Sequence, residues 1–171
     1  MTGAVTIGVV AEIAVRGLVM GVAAAALMDA WGLLLRRGLG IPTLDYAMLG
    51  RWIGNIPRGR FAHARIAAAE PVPGERPLGW LAHYAIGVAF ALLLLLVVGP
   101  TWLGEPTLLP ALAVGIGTIL APWLVMQPGM GAGVAGSRTP NPTATRLRNL
   151  ATHTVYGVGL YAAALVLAAA G

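Results

Sequence analysis

Cysteine is absent from the 171 residues, lysine is absent too, and there are only six acidic residues and two phenylalanines. Without cysteine the chain has no disulfide framework, no thiolate metal site and no cysteine nucleophile. Any metal has to bind through imidazole, carboxylate, thioether or carbonyl groups. Charged residues make up 10% of the chain and hydrophobic residues 58%, with a mean hydropathy of +0.81, which excludes a soluble domain of this size. Catalytic signatures are missing as well. There is no nucleophile elbow, no HExxH and no pair of carboxylates at a useful spacing, so the chain reads as non-enzymatic.

What the chain does contain is four long apolar runs. A span of about 20 residues crosses about 30 Å of hydrocarbon. The runs are read as transmembrane helices over about 13–35, 80–98, 108–126 and 150–169. The expected fold is all-α, an integral membrane four-helix bundle forming a single membrane domain over residues 1–171. Gly99-Pro100 closes the second helix and Gln127-Pro128-Gly129 the third. No basic residue precedes Arg16, and no short apolar core is followed by a cleavage site, so the first run is expected to remain in the mature protein.

With no lysine, the net charge of +5 comes from arginine alone, a usage that with abundant Ala and Gly points to a bacterial gene. Arg36, Arg37, Arg51, Arg58, Arg60, Arg65 and Arg76 lie between the first and second helices, and Arg138, Arg146 and Arg148 between the third and fourth. The connection between the second and third helices holds only Glu105. By the positive-inside rule the loops 36–79 and 127–149 are cytoplasmic and both termini periplasmic, in a bacterial inner membrane. The basic residues flank membrane spans and form no soluble basic face, so the expected partner is the lipid bilayer and not nucleic acid.

The same topology places three ionisable residues at one depth. Asp29 precedes Arg36, His83 follows Arg76 and His153 follows Arg148 by five to seven residues, which is about 7 to 11 Å from the cytoplasmic boundary at 1.5 Å per residue. Met126 and Gln127 end the third helix at the same face, and Tyr84 and Tyr156 are close enough to supply hydroxyls. Polar groups at such depth mark ligand or ion paths more often than lipid-facing surface. The layer has several readings. Asp29 can simply bond a histidine across helices, with Trp31, Trp80 and Trp123 as interfacial anchors. Two histidines with a carboxylate also suit a divalent metal, and histidines on different helices suit axial haem ligation. The same groups suit a proton relay, because histidine titrates near neutrality. No cofactor is favoured over another.

The loop after the first helix is too long for a simple connection. Thr43 is expected to cap a helix in which Leu49, Trp52, Ile53 and Ile56 share a face, an amphipathic helix lying at the cytoplasmic interface. Arg36, Arg37, Arg51, Trp52 and Arg58 are the expected lipid-headgroup contacts. A second short helix is expected over Phe61–Glu70, carrying His63, which would complete a three-histidine site if the loop folds under the bundle. Gly17, Gly21 and Ala25 form one small-residue row, Gly87 with Ala91 a second, and Gly157 with Gly159 another, suited to close helix packing. The Gly-rich stretch after Met126 lacks a preceding strand and a GK[ST] ending, so it reads as a helix-breaking turn and not a phosphate loop. Asn141 or Thr143 is expected to cap the last helix.

Gly50-Arg51-Trp52, Phe61-Ala62-His63, Gly79-Trp80-Leu81-Ala82-His83-Tyr84, Gln127-Pro128, Ser137-Arg138-Thr139-Pro140-Asn141-Pro142 and His153 with Gly157 together resemble an uncharacterised family of bacterial four-span inner-membrane proteins, domain of unknown function 2938. The resemblance implies a small membrane protein and brings no substrate, cofactor or catalytic residue with it. Residues and resemblance together lead to two expectations. The first is a transport or ligand-binding protein using the polar layer, at least dimeric if it encloses a path. The second is an accessory or structural subunit of a larger membrane complex.

Overall fold

The computed structural model describes residues 2–170, with side chains from Gly8 onward. Helix α1 runs Thr2–Gly38, α2 Tyr46–Asn55, α3 Glu75–Val98, α4 Leu108–Gly117, α5 Gln127–Gly129 and α6 Pro142–Ala169. Four segments are long and apolar enough to cross a membrane, namely Gly8–Gly38, Glu75–Val98, Leu108–Gly129 and Pro142–Ala169. The second and fourth begin earlier than hydropathy suggests. Arg76, Arg146 and Arg148 end an apolar window, but a helix continues through them into the headgroup layer, where its charged side chains are solvated.

The third span is not one continuous helix. After Gly117 the α-helix gives way to a turn at residues 118–119, and Pro122 has no N–H to return to the preceding turn, so Pro122–Met126 widens into a π-helical turn in which Gln127 N bonds Pro122 O. Then α5 ends the span, and the chain turns through Gly131, Gly133 and Gly136, all at positive φ. The break that sequence placed after Met126 therefore begins inside the membrane. Asn141 caps α6, its Oδ1 accepting from Ala144 N at 3.0 Å.

Helix α1 packs against α3 and α6, α4 against α6 and α2 against α3, whereas α3 and α4 meet only sparsely. Small residues set these distances. Gly21 faces the Gly87–Val88 backbone, and Gly17 meets the Leu92 side chain. Gly157 lies against Ala111 O and the α4 backbone at Leu112, and a Cβ on Gly115 would run into Gly157. The core between the spans holds Met20, Leu94, Leu95 and Leu160, all closed from the surface. A second cluster of Leu49, Ile66 and Met130 sits at the arginine-rich end, where α2 and its following loop cap the bundle.

The expected helix over 61–70 is not formed; only Ile66–Ala68 makes a 3₁₀ turn. The backbone of this loop is used elsewhere. His63 N donates to Gly129 O (2.9 Å) and Ile66 N to Met130 O (3.0 Å), while Arg51 takes the Ala69 carbonyl at 2.9 Å.

Candidate functional site: a polar cavity at the arginine-rich end

The site begins with the way α2 is seated. Asp45, and not Thr43, caps it, its Oδ1 accepting from Ala47 N at 2.9 Å, so the helix starts at Tyr46. Gly50 on α2 and Gly79 on α3 let the two backbones touch. A Cβ on Gly50 would strike Glu75 O, and one on Gly79 would strike Tyr46 O. This approach lays the Tyr46 ring on the His83 imidazole, centroids 4.3 Å apart at 26°, with the Trp80 ring 4.4 Å from Tyr46. Trp80, His83 and Tyr84 stand at helical i, i+3 and i+4 positions and so share one face of α3.

Asp29 on α1 meets that face. Tyr46 donates its hydroxyl to Asp29 Oδ1 (2.8 Å), Tyr84 donates to Oδ2 (2.9 Å), and His83 Nε2 lies 3.1 Å from Oδ1 and 3.1 Å from the Tyr46 oxygen. Neighbours from two other helices thus satisfy the carboxylate, as a buried charge requires. Burial, followed by the hydrogen bond to Asp29, pushes the Tyr46 phenol far above its ordinary range, so it remains a donor.

His153 on α6 belongs to a different network. Its Nδ1 is 2.9 Å from Thr118 Oγ1 and 3.3 Å from Gly115 O, while Thr118 donates its hydroxyl to Gly115 O at 2.6 Å. With the Thr118 proton committed, the imidazole donates through Nδ1, and in the neutral imidazole Nε2 is the acceptor. A third network joins the third span to α6. With its amide turned to face its neighbours, Asn149 accepts from Trp123 Nε1 (3.1 Å) and Gln127 Nε2 (2.6 Å) and donates to Thr145 O (3.0 Å). Gln127 Oε1 is buried without a partner among the described residues.

These networks line one cavity of about 1240 Å³ between α1, α2, α3, the third span and α6. Asp29, His83, Met126, Gln127 and His153 all stand on its wall, with Tyr46 and Trp80 beside them and Arg36, Arg76 and Arg148 at its arginine-rich end. The expected three-histidine site is not assembled. His63 is pinned beneath the turn at Gly129, its Nδ1 3.4 Å from Gly129 O and its Nε2 buried without a partner among the described residues, and it is not part of the cavity wall. Among the described residues no three His, Asp or Glu side chains come together to hold a metal ion.

Two of the expected headgroup contacts turn inward instead. Arg51 is buried and makes a two-pronged pair with Glu75, Nε to Oε2 and Nη2 to Oε1, both 2.8 Å. This pair holds the Arg51 guanidinium firmly protonated, above its ordinary range. Trp52 packs on Gly129 and donates Nε1 to Phe61 O at 2.8 Å. Arg36, Arg37 and Arg58 remain exposed. Sequence reasoning missed Tyr46, Thr118 and Asn149. The signal for Tyr46 was present in Gly50 and Gly79, whose pairing fixes the register of α2 on α3.

The family model described as a protein of unknown function (DUF2938) matches residues 18–167. No curated protein and no solved structure matches the chain.

Proposed function

The chain belongs to the DUF2938 family, whose function is unknown, and we propose that it binds a small ligand inside the membrane, in the cavity walled by Asp29, Tyr46, His83 and His153. The observation that carries this reading is the size and lining of the cavity. At about 1240 Å³ it exceeds the range of about 300–1,000 Å³ usual for ligand pockets. Its wall gathers polar groups from every spanning helix. Held apart by separate networks, these groups present an acceptor on His153, a satisfied carboxylate at Asp29 and three guanidinium groups at the rim. Such a surface recognises a ligand through hydrogen bonds and charge, with no metal required.

The arginine distribution supports entry from the cytoplasm across a bacterial inner membrane, with both termini on the periplasmic side. Carriage across the membrane would then require the His153 and Asp29 networks to open toward the other face.

The absence of native cysteine makes the test direct. Thr152→Cys places one thiol on the cavity wall, and Arg60→Cys places one in the exposed loop. In inside-out vesicles a membrane-impermeant maleimide should label both. An unreactive Thr152→Cys beside a labelled Arg60→Cys would show a cavity closed to the cytoplasm and would sink the proposal. Labelling of both only in right-side-out vesicles would reverse the topology.

A further inference from the structure

We infer, resting on the cavity reading above, that the ligand is an anionic membrane amphiphile, held with its acidic headgroup at Arg36, Arg76 and Arg148 and its acyl chain in the seam between α3 and α4. Two independent features meet here. The first is charge. All three arginines line the cavity from one end of their helices, and among the described residues Arg148 spends one donor, from Nη1 to Pro42 O. The two carboxylates in the same lining are already engaged. Asp29 accepts from Tyr46 and Tyr84, and Asp45 accepts from Ala47 N. Three guanidinium groups against these two carboxylates leave the lining net positive.

The second feature is continuity with an apolar groove. Phe90, Thr118 and Ala121 line both the cavity and a second pocket of about 280 Å³, whose other walls are Leu93, Val97, Val114, Gly117 and Leu120. That groove occupies the seam where α3 and α4 meet only sparsely. From His83 to Val97 the α3 wall extends about 21 Å at 1.5 Å per residue, running from the polar cluster toward the far leaflet. A soluble polar ligand has no use for such a trough. An acyl chain fits such a trough by van der Waals packing against Leu93, Val97 and Leu120. The end of α4 at Gly117 and the π turn at Pro122 interrupt the regular ridges of this face, so the two faces do not interdigitate along their length.

The test uses the full-length protein in detergent and two brominated lipids, phosphatidylglycerol and phosphatidylcholine, read through quenching of its tryptophans, of which Trp52 and Trp80 line the cavity. Phosphatidylglycerol should half-saturate quenching at a concentration about tenfold lower than phosphatidylcholine. Combined Arg36→Gln, Arg76→Gln and Arg148→Gln should abolish that preference. Gly117→Leu should weaken phosphatidylglycerol binding with no loss of folding, because a side chain there meets nothing within 4 Å and points into open space.

Equal quenching by both lipids, unchanged in the arginine variant, overturns the inference. If inorganic phosphate alone displaces phosphatidylglycerol and Gly117→Leu has no effect, the site takes a free anion. The amphiphile is then wrong while the cavity reading stands. An unreactive Thr152→Cys removes the cavity reading itself.

Discussion

Helix α3 is bound differently on its two sides. Toward α2 it is locked. Gly50 and Gly79 bring backbone against backbone, and the Arg51–Glu75 pair at 2.8 Å clamps the seam while Arg51 also holds the loop carbonyl of Ala69. Toward α4 it is loose, with an apolar trough where Gly117 meets no neighbour. In lipid the hydrophobic effect does not drive helices together, so a seam closes only where small residues and polar groups make it close. The α2–α3 seam has both in contact. In the α3–α4 seam, by contrast, Gly117 and Ala121 line the trough with the bulkier Phe90, Leu93 and Val97, and Thr118 spends its bonds on Gly115 O and His153 instead of α3. The locked side therefore fixes the polar cluster, placing Tyr46 on His83, and the loose side carries a trough that shares Phe90, Thr118 and Ala121 with the cavity.

The largest effect should come from forcing the locked seam apart. Gly50→Val or Gly79→Val drives a side chain into a backbone carbonyl that has nowhere to move, beyond the roughly 1–3 kcal/mol of ordinary overpacking. Either variant should give no monodisperse peak in size-exclusion chromatography. Gly117→Leu, on the open side, should shift stability by no more than about 0.5 kcal/mol. Equal damage at the two seams would erase the contrast.

Next in size is the clamp. Glu75→Gln leaves Arg51 buried without its counter-charge, and the loop 59–74 loses the anchor that holds its carbonyls. Deuterium uptake across that loop should rise by more than an order of magnitude while α4 is unchanged. Uptake that rises uniformly over the whole chain would mean that the pair serves global stability and not this seam.

The contrast between the seams also explains which parts of the molecule were legible in sequence. The four spans follow from hydropathy, and counting residues back from the arginines placed Asp29, His83 and His153 at one depth; all three line the cavity. Arg51 was misread because its partner Glu75 lies 24 residues away beyond a Pro-rich turn, so nothing local distinguished a clamp from a headgroup contact. Helix α2 shows an amphipathic face in sequence whether that face meets lipid or protein, and only the glycine on each partner tells the two apart. The break at Pro122 was hidden inside an apolar run, where hydropathy is blind to a missing N–H.

A smaller effect separates a hydroxyl that ties two helices from one that holds the Asp29 carboxylate. Tyr156 donates to Gly87 O at 2.6 Å across the α3–α6 contact. Tyr156→Phe should cost about 0.6 kcal/mol, and at most about 1.7, in detergent unfolding. Tyr84→Phe should cost a similar amount and should in addition alter ligand binding, because Tyr84 holds Asp29. Binding that Tyr84→Phe leaves untouched would make the Asp29 cluster a tie between helices.

The last effect is read at alkaline pH and reports on the locked seam from within. Burial and Asp29 hold the Tyr46 proton in the folded protein well above the ordinary tyrosine value of about 10, whereas the unfolded chain releases it near that value. The raised folded value means that the contribution of Tyr46 to stability is complete below pH 10. It declines as pH rises further, because only the unfolded state gives up the proton. The decline approaches about 1.4 kcal/mol for each pH unit. Tyr46→Phe removes this slope, so unfolding measured from pH 9 to 11 should fall less steeply in the variant than in the parent, although the variant is less stable at pH 8 for want of one hydrogen bond. Parallel curves would mean that Tyr46 is solvated in the folded protein, and α2 would then not be seated on α3 as the Gly50–Gly79 contact requires.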